Sequence, residues 1–181
     1  LIHSGNDAAY ALAQQSTTIT KDDNTLHNPV DTFVSLMNNK AIQIGLTDTT
    51  YKDPAGLDDQ GMSTARDQGL LVAYALGNDS FKKIITMPDA VLYSTDMKIS
   101  HVIDNSNRLV KAEMYYQGII GGKTGFTPTA GHNLVTAAQR DGHTLVVVIF
   151  NTYDRVNKAA SAIEARKLLD WGFDNFSWLQ L

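Results

Sequence analysis

Residues 118–150 read GIIGGKTGFTPTAGHNLVTAAQRDGHTLVVVIF, and the second half of that stretch decides the fold. Asn133–Gln139 and Thr144–Phe150 are apolar runs of strand length on either side of Asp141-Gly142, a dipeptide suited to the two positive-φ positions of a tight hairpin turn. Ahead of them, Gly118–Phe126 reads as a glycine-rich strand. Three strands so close in sequence pair antiparallel, because parallel neighbours need a long crossover. Working outward, Val91–Ile103 predicts another hairpin with Thr95-Asp96 near its tip. Downstream, Ala159, Ala162, Ile163, Arg166 and Leu169 share one face of a helix predicted over about Arg155–Trp171.

The first half has helical periodicity instead. Asn6 or Asp7 is positioned to cap a helix to about Gln15, and a polar loop follows over Ser16–His27. Asn28-Pro29 marks a helix start, Val30, Phe33, Val34, Met37, Ala41 and Ile44 recur at helical spacing, and Gly45 ends the run. Lys52-Asp53-Pro54-Ala55-Gly56 is a turn. Ser63 or Thr64 caps a helix to about Leu76, and Asn78 or Asp79 caps a short one ending before Pro88. Helices first, then antiparallel strands closed by a helix, make an α+β fold.

Composition narrows the function. The 181 residues suit a single domain, with 43% hydrophobic and 19% charged residues. A net charge of −4 and no basic run argue against nucleic acid as a partner. Without cysteine there is no disulfide, thiolate nucleophile or cysteine-ligated zinc. The five histidines are scattered, so no metal site and no cofactor is expected. The longest apolar run, Leu145–Phe150, is strand-length and too short to span a bilayer. Beginning at Leu1 with no initiator Met, the sequence reads as part of something longer.

Two short motifs carry chemistry. In Lys123-Thr124-Gly125, lysine supplies a fixed charge, threonine a hydroxyl for a carboxylate, and glycine lets a ligand backbone lie close. The N–H of Phe126, the next residue, can serve as an oxyanion donor. A phosphate loop is the rival use of Gly122-Lys123-Thr124, but Gln117 stands where the first glycine is required, and no helix-forming run follows. Ser4-Gly5-Asn6 offers a proton-relaying hydroxyl and an amide that can hold a substrate amide, or else simply caps a helix.

Together these motifs resemble the Ser-x-x-Lys, Ser-Asp-Asn and Lys-Thr-Gly set of penicillin-binding enzymes, in the Ser-Gly-Asn form of the low-molecular-mass D-alanyl-D-alanine carboxypeptidases. Six blocks stand in that family's order: Ser4–Ala9, Pro54–Leu57 with Ser63–Asp67, Asn105–Leu109, Lys123–Thr127, Ala130–Val135 and Leu168–Phe173. The resemblance implies a β-lactamase/transpeptidase-like antiparallel sheet flanked by helices, with a helical subdomain. Residues 1–181 are then one carboxypeptidase domain short of its N-terminal part, mainly helical over 1–90 and strands plus closing helix over 91–181.

The resemblance also implies the roles. A serine in Ser-x-x-Lys, on a helix ahead of Ser4, attacks the D-Ala-D-Ala bond of a peptidoglycan stem peptide, and β-lactam antibiotics are trapped as acyl adducts. Ser4 passes a proton to the leaving D-alanine and Asn6 positions the substrate amide. Lys123 supports the charge balance, Thr124 holds the terminal carboxylate, Gly125 gives room, and the Phe126 N–H stabilises the oxyanion. Arg155 or Lys158 adds positive charge near the carboxylate. The implied location is extracytoplasmic, with membrane anchoring only through parts outside this sequence, and the chain alone is expected to be inactive and poorly stable. The one Ser-x-x-Lys present, Ser80-Phe81-Lys82-Lys83, is out of order, and ten serines and ten lysines supply about half such a match by chance. A non-catalytic peptidoglycan- or partner-binding homologue is the alternative from another class. A class A β-lactamase fits less well, because Glu113, the only glutamate between the motifs, is not in a Glu-x-x-Leu-Asn-like loop.

Overall fold

The structure, a computed structural model, describes residues 1–16, 28–154 and 156–178. It divides into two compact units, Gly5–Leu71 and a second formed by Leu1–Ser4 with Val72–Leu181.

The first unit is helical. Helix α1 spans Asn6–Ser16 and α2 spans Pro29–Gln43. The Ala9 N–H donates to the Gly5 carbonyl, so the cap of α1 falls on Gly5 and not on Asn6 or Asp7. In α2 the Asn28 side chain accepts from the Val30 N–H, as expected, and Gly45 leaves the helix at φ +82°. The predicted turn is built on Asp53, whose carboxylate accepts from the N–H groups of Ala55, Gly56 and Asp58, which hold it below the ordinary carboxylate range. Helix α3, Ala65–Ala75, is capped by Thr64, whose hydroxyl accepts from the Asp67 N–H. Most of the predicted polar loop, 17–27, lies outside the described residues.

The second unit carries the sheet. Asn78 caps α4, Asp79–Thr86, and β1, Asp89–Tyr93, pairs antiparallel with β2, Ser100–Asp104. Two short 3-10 turns follow at Arg108–Val110 and Ala112–Met114. Then β3, Ile119–Thr127, β4, Gly131–Arg140, and β5, His143–Ile149, form an antiparallel sheet in the order β3-β4-β5. Asp141 and Gly142 both take positive φ, 51° and 82°, as the hairpin reading requires.

Alternation in β4 splits the core. Leu134 and Ala138 face α5, Ala160–Asn175, together with Ala165 and Leu169, while Val135 and Ala137 face Val72 and Leu76. Helix α5 starts later than predicted. Asp154 first accepts from the N–H groups of Val156 and Asn157, and Asn157 accepts from Ala159, so local Asx turns occupy the approach. It also runs past Gly172, where a Cβ would press on Leu145 and Phe176, so that glycine serves packing and does not end the helix. Among the described residues, no helix is long and apolar enough to cross a membrane.

Candidate active site

Strand β3 lies at one edge of its sheet among the described residues, and its backbone orientation follows from hydrogen bonding on both sides. The Gly121 carbonyl accepts from Thr136 on β4, whereas the Ile120 carbonyl accepts from Thr86 of α4. Alternation therefore turns Gly121, Lys123 and Gly125 toward β4, and Gly122, Thr124 and Phe126 toward the open edge. His132, opposite Phe126, gives its carbonyl to the Thr152 N–H on the far side of β4, which fixes Phe126 as a non-hydrogen-bonded partner. The Phe126 N–H thus faces the open edge, and its half-exposed ring packs on His132 at 4.4 Å.

Close approach explains some of the glycines and leaves one over. A Cβ on Gly121 would strike the Ile85 backbone at the end of α4, and one on Gly122 would strike the Val135 carbonyl. Gly125 differs: a Cβ there would meet only the Asn133 Cβ, at 3.9 Å. The fold leaves that side of the strand unfilled.

Lys123 extends its ammonium to the Ser4 hydroxyl at 2.6 Å and to the Thr124 carbonyl at 2.5 Å. These residues are 119 apart in sequence. Ser4 reaches the strand because its short lead-in is fastened down: Ile2 is buried, its carbonyl accepts from the Ser106 N–H at 2.9 Å, and His3 bonds the Asp104 carbonyl. Ser4 itself has φ +61°, a left-handed conformation that costs a non-glycine residue about 1–2 kcal/mol. Burial pushes the Lys123 pKa down from the usual lysine value. Among the described residues no carboxylate lies within ion-pair distance of it. The site is a positive charge held by the Ser4 hydroxyl and the Thr124 carbonyl, both neutral.

Thr124 donates its hydroxyl to Ser106 at 2.6 Å. Ser106 had no assigned role in the sequence, where it is the middle residue of Asn105-Ser106-Asn107 in the Asn105–Leu109 block. Its signal is the asparagine on each side. Asn105 is buried and donates to the carbonyls of Ile85 and Met87, and its own carbonyl accepts from the Asn107 N–H. Asn107 is fully buried, accepts from the Leu109 N–H and donates to Thr136. Two inward amides present one outward hydroxyl.

Of the other expected residues, Asn6 is exposed as the first residue of α1 in the helical unit, and Arg155 lies outside the described residues. Lys158 is exposed. Ser80 is exposed in the first turn of α4, the surface role expected of it. Among the described residues no cluster of groups could hold a metal ion.

Comparison with known proteins agrees in kind with this geometry. A family profile described as D-alanyl-D-alanine carboxypeptidase matches residues 1–154. The chain is 32% identical over 177 residues to the D-alanyl-D-alanine carboxypeptidase DacF of Bacillus subtilis, covering 97% of this chain and 41% of that protein. It is 35% identical over 178 residues to DacB2 of Mycobacterium tuberculosis, covering 96% and 55%. Among solved structures, a D-alanyl-D-alanine carboxypeptidase of Mycobacterium tuberculosis superposes with TM-score 0.78 at 34% identity, over 98% of this chain and 62% of that one. A Streptomyces DD-transpeptidase does so with TM-score 0.79 at 28% identity, over 93% and 62%. The chain spans about half the length of the curated relatives it matches.

Proposed function

The chain belongs to the D-alanyl-D-alanine carboxypeptidase family, and from that premise we propose that this protein is a serine carboxypeptidase that removes the terminal D-alanine from peptidoglycan stem peptides and is acylated by penicillins. The observation that carries the reading is the Lys123–Ser4 hydrogen bond at the open edge of β3.

The steps follow from what each group can do. The attacking serine belongs to the part of the family's domain ahead of Ser-Gly-Asn, which this sequence does not include. Its attack on the scissile carbonyl forms a tetrahedral oxyanion, and the outward Phe126 N–H is oriented to donate to it. The lysine of the Ser-x-x-Lys motif takes the attacking serine's proton. Lys123 donates to the Ser4 oxygen, so the Ser4 proton is free to pass to the departing D-alanine nitrogen and is replaced by the one on that lysine. The substrate backbone lies along the strand edge beside Gly125, its terminal carboxylate on the Thr124 hydroxyl. Water then cleaves the acyl-enzyme. By resemblance Asn6 holds the substrate amide, and Arg155 or Lys158 adds charge near the carboxylate. The same reading puts the protein outside the cytoplasm, where its substrate is. Glu113 gives no support to a β-lactamase: it sits on a 3-10 turn within 3.9 Å of Lys111.

The test is covalent labelling by a fluorescent penicillin, of this chain alone and of the full-length protein with its upstream segment. Labelling of the full-length protein alone, lost in Ser4→Ala, supports the reading. Labelling of this chain alone returns Ser80 as nucleophile. No labelling of either favours the non-catalytic homologue.

A further inference from the structure

We propose that Ser106 is a second substrate-contacting residue, which together with Thr124 holds the terminal carboxylate of the peptide between two neutral hydroxyls. The proposal rests on the carboxypeptidase reading and extends it to a residue outside the family's catalytic motifs.

The case begins with what the fold asks of Ser106. Its backbone is held: the N–H is bound to the Ile2 carbonyl, and the flanking Asn105 and Asn107 are buried with the oxygen and nitrogen of each amide hydrogen-bonded. From Asn107 the chain of bonds continues through Thr136 to the Gly121 carbonyl, which fixes the Asn-Ser-Asn arch to β3 itself. The Ser106 side chain takes no part in this. It is exposed, and among the described residues its hydroxyl bonds the Thr124 hydroxyl alone, at 2.6 Å. A serine there contributes little to folding that alanine would not.

It contributes something to a ligand. The Thr124 N–H and carbonyl face the open edge, and any carboxylate resting on its hydroxyl is within reach of a second hydroxyl 2.6 Å away. Two O–H groups at that spacing can each turn a proton outward to one oxygen of a carboxylate, the bond between them giving way to two charge-assisted ones. Because both are neutral, they read the carboxylate by geometry, and the positive charge of Lys123, bound to the Thr124 carbonyl, supplies the attraction. The arch is thus a rigid second wall for the C-terminal end of the substrate.

The experiment compares the full-length protein with Ser106→Ala, Ser106→Thr and Ser106→Asp on a blocked tripeptide ending in D-Ala-D-Ala, after wild type has been labelled by fluorescent penicillin. The expected result is a KM about tenfold higher in Ser106→Ala, the usual effect of losing one hydrogen bond to a charged group. kcat should stay within about twofold and the melting temperature should not change. Ser106→Thr should restore most of the affinity, and Ser106→Asp should be worse than alanine because it repels the carboxylate. A KM for Ser106→Ala within about twofold of wild type overturns the proposal. So does a loss in which kcat and melting temperature fall together, since the hydroxyl would then be structural. If wild type is not labelled by penicillin, the failure lies in the carboxypeptidase reading, and this proposal falls with it.

Discussion

Two polar clusters in the sheet-bearing unit are made of similar parts and built to opposite ends. One joins Tyr116, Arg140 and Asp170. The buried tyrosine donates its hydroxyl to the aspartate at 2.8 Å, and the arginine reaches both, at 2.5 Å and 3.2 Å, while its guanidinium lies over the rings of Tyr116 and Phe173. Every charge there has its opposite, and the cluster ties α5 to β4 and to the stretch ahead of β3. The other joins Ser4, Lys123, Thr124 and Ser106. Its one charge is desolvated and has only neutral partners, one of its residues is in a left-handed conformation, and two hydroxyls are spent on each other. That contrast supports the proposal that the second cluster receives a ligand anion.

The sharpest break of the contrast is Lys123→Met in the full-length protein. With the cation gone, penicillin acylation should fall by about 100- to 1,000-fold, the range seen for removing one preorganised electrostatic donor. Stability should not fall. Lys123 has a depressed pKa in the folded state, so the unfolded chain binds its proton more readily. Its charge opposes folding below that pKa, and the penalty lifts as pH rises through it. Labelling rate and urea midpoint check the two halves. Near-normal labelling, or a loss of stability, would erase the distinction between the clusters.

The Tyr116 cluster should give the mirror result. Tyr116→Phe keeps the ring and the Arg140–Asp170 pair but removes the hydroxyl that bonds to both. A loss of about 1–2 kcal/mol in unfolding free energy is expected, with penicillin acylation rate unchanged. Chemical denaturation and a labelling time course measure this. A variant as stable as wild type but slow to acylate would place Tyr116 with the site.

The clusters also differ in how legible they are from sequence. Lys123, Thr124 and Phe126 were legible because the glycine-rich strand and the Asp141-Gly142 turn set their register, and an alternating strand then orients its backbone. Ser4 was legible only as part of a motif; its contact with Lys123 depends on Ile2 and Ser106 pinning the lead-in, which no local pattern announces. Ser106 was missed because it is the unspecified middle position of the Asn105–Leu109 block, and no local pattern announces the burial of Asn105 and Asn107 or its contact with Thr124. Tyr116–Arg140–Asp170 was illegible because its three residues, ahead of β3, on β4 and on α5, have no common spacing. Helix α5 was misplaced at both ends because Asx turns at Asp154 and Asn157 and the packing of Gly172 outweigh its apolar periodicity.

The smallest effect concerns pH, and it separates the clusters by sign. Burial, then the Asp170 carboxylate, pushes the Tyr116 pKa up to about 12, above the ordinary tyrosine value of about 10. The unfolded chain therefore loses this proton first as pH rises, and stability falls between about pH 10 and pH 12. Lys123 acts the other way: its depressed pKa lets stability rise as pH climbs toward the ordinary lysine value. Urea midpoints of wild type and Tyr116→Phe should therefore converge with increasing pH above about 10, because the phenylalanine variant has no phenol to ionise. The same series in Lys123→Met should lack the opposing rise. If the gap between wild type and Tyr116→Phe stays constant across that range, the hydroxyl is not held by Asp170 in the folded protein. The stability cluster would then rest on the Arg140–Asp170 pair and ring packing alone.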